Sequence, residues 1–133
     1  MKLFLLAVML LCPLLATAQL AVTVSLPKVI GQKAMIEMKL KNGLSEKVEA
    51  ARAVCFLLDG QGKMVGQAGR WVIGGTKTRP ALEPKKETTF NFVITGREPF
   101  ATTNLTVRLS FTRLVLDGGR LADAAKDVEI KSK

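Results

Sequence analysis

Apolar and polar residues alternate with a period of two along most of this chain. Leu20, Val22, Val24 and Leu26 are separated by Ala21, Thr23 and Ser25 before Pro27, the pattern of a half-buried first strand. In the next segment, 34–41, Ile36, Met38 and Leu40 share one face while Glu37, Lys39 and Lys41 share the other, and Asn42-Gly43 ends it. Val48 to Leu58 predicts a third strand, apolar on both faces toward its end as in a central strand. The Asp59-Gly60-Gln61-Gly62 turn then leads into a fourth, from Lys63 to about Ile73. Thr88 to Thr95, Asn104 to Leu116 and Val128 to Ile130 complete a set of seven. Within Asn104 to Leu116 the apolar parity shifts at Thr112-Arg113, which predicts a bulge or a second covered face.

No stretch beyond the N-terminus has the 3.6-residue period of a long amphipathic helix. Seven strands separated by Gly, Pro, Asn and Asp turns predict an all-β domain: an immunoglobulin-like antiparallel β-sandwich over residues 19–133. Gly74 to Pro80 lacks apolar periodicity and is expected to be an exposed loop, a place where binding residues collect on a rigid scaffold. Trp71 falls on the fourth strand, so plain packing or partial cover of a sheet edge is its expected role.

The first eighteen residues follow a different rule. Lys2, an uncharged apolar run from Leu3 to Leu15, and Ala16-Thr17-Ala18 form the three parts of a signal peptide, with cleavage expected between Ala18 and Gln19. The apolar run is shorter than the roughly 20 residues of a membrane-spanning helix, and Pro13 interrupts it. A signal-peptide helix ahead of the sandwich, no transmembrane span after cleavage, and a secreted or periplasmic location are therefore expected. Lipid attachment at Cys12 fits poorly, because bulky Leu11 precedes it.

Cleavage would change the composition. It would leave 115 residues with nineteen Lys and Arg against eleven Asp and Glu, a formal +8, and Cys55 as the sole cysteine. A single domain of that size can bury one core, and with one cysteine it must do so without an internal disulfide. Cys55 sits in the run Ala53-Val54-Cys55-Phe56-Leu57-Leu58, as a packing thiol would.

The segment Cys55-Phe56-Leu57-Leu58-Asp59, followed by Gly62-Lys63-Met64-Val65-Gly66, resembles the central hairpin of bacterial extracytoplasmic domains of the FxLYD type. The Asn42-Gly43 strand ending and the Leu82, Pro84, Phe90, Phe92 arrangement are similar as well, so the resemblance covers about residues 20 to 95. Cys55 stands where the motif has Phe, and Leu58 where it has Tyr. The resemblance implies a non-catalytic interaction module and offers no catalytic residues to carry over.

The residues themselves point the same way. The chain has no histidine, which removes the commonest general base and metal ligand, and one mature cysteine is too few for the usual zinc or copper sites. Asp117, Asp123 and Asp127 lie in turn-like segments and read as solvated turn residues. No enzyme activity, catalytic residue, metal or cofactor is expected. The positive charge suits an anionic counterpart outside the cytoplasm, but basic residues are scattered and only Lys85-Lys86 are adjacent. One Trp, no Tyr and core-type Phe positions argue against nucleic acid. Two readings follow: a protein-binding module in the cell envelope, working through a sheet edge or the Gly74 to Pro80 loop, or a basic adaptor for an anionic surface, glycan or other polymer. The adaptor would use Lys77, Arg79, Lys85 and Lys86, with outward Lys39, Lys41 and Arg108 in support.

Overall fold

The computed structural model describes residues 18–101 and 104–132, and among them the protein is all-β, built as two sheets that enclose one core. Eight strands run in the order β1 (Leu20–Val24), β2 (Lys28–Ile30), β3 (Lys33–Asn42), β4 (Val48–Leu58), β5 (Met64–Ile73), β6 (Glu87–Thr95), β7 (Thr106–Leu116) and β8 (Val128–Ser132). The expected signal-peptide helix falls on residues outside those described. No helix among the described residues is long and apolar enough to cross a membrane.

In the first sheet β3 pairs with β6 on one side and with β2 and then β1 on the other, and β8 lies beyond β1. The second sheet has the order β5-β4-β7. Two expectations are corrected here. The sandwich is not wholly antiparallel, because β1 and β8 run parallel, with Leu20 beside Val128 and Val24 beside Ser132. The chain also has an eighth strand: Pro27 lacks an N–H, so the first strand stops at Val24 and the chain re-pairs with β3 as β2, leaving Leu26 78% exposed.

The alternation in the sequence places the core. On β3, Ala34, Ile36, Met38 and Leu40 are buried while Lys33, Glu37, Lys39 and Lys41 are exposed. β6 adds Phe92 and Ile94. Across the core β4 contributes Ala51, Ala53, Cys55 and Leu57; small side chains on its inward row leave room for the larger ones of the first sheet. Burying a Leu or Phe fully stabilises the fold by about 1.5–3 kcal/mol. The parity shift on β7 is a bulge: Arg113 pairs with Arg52 and Phe111 with Ala53, so Thr112 is the extra residue.

Asn42, read in the sequence as a turn residue, is wholly buried. Its amide donates to the carbonyls of Glu46 and Leu82, and its Oδ1 accepts from the Leu44 N–H. It stands on the inward phase of β3, and three hydrogen bonds compensate for its burial.

Candidate interaction surface

The four basic residues singled out in the sequence do not form one cluster. Lys77 is exposed in the loop after β5, which closes on itself through Gly74 N to Pro80 O and Arg79 N to Thr76 O. Arg79 turns inward from that loop. Its guanidinium donates to the Trp71 carbonyl at 2.5 Å and lies 4.8 Å from the centre of the Phe90 ring. This geometry ties the guanidinium to the scaffold by a hydrogen bond and a cation–π contact. Lys85 takes a left-handed backbone (φ 66°) and donates its N–H to Asn42 O, while the Lys86 N–H bonds Glu83 O. Arg79 and Lys86 share a cleft of about 380 Å³ with Glu83 and Glu87, so the cations there are matched by carboxylates. Lys77 and Lys85 do not line it.

The strands divide the charges differently. Every cation on the first sheet's strands is a lysine (Lys28, Lys33, Lys39, Lys41, Lys131), mixed with Glu37, Glu87 and Glu129. Every cation on the second sheet's strands is an arginine: Arg52, Arg70, Arg108 and Arg113. The single carboxylate there, Glu49, stands at the end of β4 and accepts the Gly118 N–H at 3.0 Å.

Register puts three of these arginines on one face. With Ala51, Ala53, Cys55 and Leu57 buried, β4 turns Arg52, Val54, Phe56 and Leu58 outward. Cross-strand pairing then gives four rows: Trp71–Arg52–Arg113, Gly69–Val54–Ser110, Gln67–Phe56–Arg108 and Met64–Leu58–Thr106. Neighbours within a row stand about 5 Å apart and rows follow each other at about 7 Å. Glycine shapes this face. A Cβ on Gly69 would stand 2.7 Å from an Arg52 guanidinium nitrogen, and one on Gly75 (φ 76°) 2.4 Å from the Trp71 indole. The Arg52 guanidinium and the Trp71 indole therefore each occupy the space a side chain would fill at Gly69 and Gly75.

Sequence reasoning found Arg108 but missed Arg52, Arg113, Phe56 and Trp71 as members of one surface. Apolarity on both faces of β4 suggested a strand covered on both sides. β4 is central within its sheet, yet Val54, Phe56 and Leu58 remain half-buried and Met64 is 50% exposed. Within the strands arginine and lysine are segregated by sheet, but Lys63, Arg79, Arg97 and Arg120 in the connections hide that division in the sequence.

Cys55 and Asp59 are both engaged in the fold. Burial pushes the Cys55 thiol up to about 11. Asp59 lies below its ordinary carboxylate range because its Oδ1 accepts the backbone N–H groups of Lys63 and Gln61, each at 2.9 Å. Among the described residues no group of three or more Cys, Asp or Glu is placed to hold a metal ion. Ala18, the residue before the expected cleavage, is exposed; Gln19 after it is tied into the fold, its side chain donating to Lys126 O and its carbonyl accepting from Gly43 N.

No family model and no curated protein matches the chain. Among solved structures it is similar to a crystal structure assigned to the ApaA protein of Bordetella pertussis, with a TM-score of 0.56 and 16% identity over 80% of this chain and 89% of that one. It also matches part of a beta-glucuronidase from glycoside hydrolase family 2, with a TM-score of 0.38 and 12% identity over 74% of this chain and 14% of that one. At these identities the first similarity shows a shared β fold, and the second is too slight to bear on fold or activity.

Proposed function

We propose that the chain is a secreted or periplasmic, non-catalytic module of immunoglobulin-like type that binds a partner protein in the cell envelope. The observation that carries this reading is the outer face of β4 and its neighbours, which keeps Phe56, Val54, Leu58 and Trp71 partly in solvent beside arginines. Partly exposed aromatic and arginine side chains grouped on a rigid sheet are the residue types that dominate protein–protein binding energy. The FxLYD-type resemblance supports the same reading, since its hairpin is the β4–β5 pair that builds this face. The chemistry of the chain favours binding over catalysis, with no histidine in the sequence and its one core thiol buried and protonated.

Photo-crosslinking in the native envelope tests the reading. A photoreactive residue at Gln67, beside Phe56, is expected to capture one discrete protein, and one at Thr89 on the first sheet is not. Equal labelling from both positions, or none from Gln67, overturns it. Export is checked separately by intact mass: a chain beginning at Gln19 is expected, and one beginning at Met1 refutes the signal reading.

The second reading, a basic adaptor for an anionic surface or polymer, draws on the exposure of Lys77, Lys85 and Lys86. It predicts retention on heparin that neutralising those three lysines abolishes. Unchanged retention removes it.

A further inference from the structure

We infer that the arginine-bearing outer face of the second sheet is a docking site for a short acidic polypeptide segment; this rests on the protein-binding reading above. Three observations lead to that occupant. First, Arg52, Arg108 and Arg113 have no carboxylate on their face, since Glu49 is held at the strand end by Gly118. The other sheet interleaves its five lysines with Glu37, Glu87 and Glu129, so carboxylates already stand among its cations. Arginine presents a planar fork of donors that matches carboxylate geometry, which a surface built only for solubility does not require.

Second, the apolar groups are interleaved with the charged ones. Phe56 stands directly beside Arg108, and Trp71 directly beside Arg52. An occupant that satisfies both must alternate carboxylates with apolar groups at a spacing of a few ångströms. Polypeptide does this, whereas a nucleic acid or glycan chain would leave the aliphatic side chains of Val54 and Leu58 without a partner.

Third, the size of the face limits the occupant. Three strands at about 4.8 Å by seven residues at about 3.3 Å give a flat area near 330 Å². This is under half of the roughly 800 Å² that a stable interface needs from each partner. The fit is to a segment of several residues, with micromolar, salt-sensitive binding.

Trp71, the only tryptophan in the sequence, reports directly from this face. Its emission is to be titrated at low salt with poly-L-glutamate and with a ten-residue peptide alternating Glu and Phe. Heparin, a DNA oligonucleotide and vesicles containing anionic phospholipid form the comparison arms. The alternating peptide is expected to shift the emission and to bind about tenfold more tightly than poly-L-glutamate. Arg52→Gln/Arg108→Gln/Arg113→Gln is expected to lose at least tenfold in affinity, and Lys33→Gln/Lys39→Gln/Lys41→Gln on the other sheet less than about twofold. The double variant Arg108→Gln/Arg113→Gln, which leaves Arg52 over Gly69, carries the test if the triple variant unfolds. Equal losses in the arginine and lysine variants, or an emission shift produced only by heparin, DNA or vesicles, overturns the proposal. Crosslinking separates it from the broader reading. If the arginine variant still captures the partner through Gln67, the acidic-segment idea falls while the binding module stands; if wild type captures nothing, the module falls as well.

Discussion

At the scale of single residues, Cys55 and Gly74 show most clearly what the core demands. Cys55 is wholly buried, and loss of hydration raises its thiol from an ordinary 9.0 to about 11. The folded chain therefore keeps a proton that the unfolded chain releases. Its contribution to stability is complete below pH 9 and is lost as pH rises toward 11, an alkaline loss of about 2–3 kcal/mol. Denaturant unfolding at pH 8 and pH 11 is expected to show that loss in wild type and a smaller one in Cys55→Ala. The same burial predicts that thiol reagents modify Cys55 only as fast as the core opens. Gly74 has φ 55°, and a Cβ there would fall 1.8 Å from the Glu49 carbonyl oxygen. Because the obstacle is backbone, Gly74→Ala is expected to cost about 2–4 kcal/mol, read as a lower unfolding midpoint in urea.

At the scale of strands, most of the fold was legible. Alternation identified β3, β4, β6 and β7, and the parity break at Thr112-Arg113 marked the bulge, because inward and outward rows obey different solvents. What was not legible depended on which strands meet. The pairing of β1 with β8 spans more than a hundred residues, so no local pattern encodes it. Trp71, Arg52 and Arg113 become neighbours only through the β5-β4-β7 order. The candidate loop residues were visible as cations, but the inward turn of Arg79 onto Phe90 requires β6 beside the loop. Edge strands also reveal a device hidden from periodicity. Arg70 on β5 pairs with inward Ala53, yet as an edge residue it stays exposed. A charge on the inward phase of an edge strand disfavours pairing with another chain. Arg70→Val is expected to leave Met64 to Val72 without a charge and to promote association that grows with protein concentration, measured by sedimentation or light scattering. A variant that remains monomeric at high concentration would show that Arg70 has no such role.

At the scale of the whole molecule, the two sheets carry different duties. The first sheet holds both ends of the fold and mixes its lysines with glutamates. The second sits on the chain's middle segments and presents the arginine face, so a partner could dock there without touching either end. The parallel pairing of β1 and β8 has a mechanical consequence. Tension applied across the ends of the fold pulls β1 backward from Leu20 and β8 forward from Ser132, along the strand axes in opposite directions. That load shears the β1–β8 ladder, so its hydrogen bonds resist together instead of unzipping one after another. Single-molecule pulling from the two ends is expected to give one high rupture force, and pulling from the β4–β5 turn and the C-terminal end a lower one. A domain of this design would remain closed while its two ends are pulled apart.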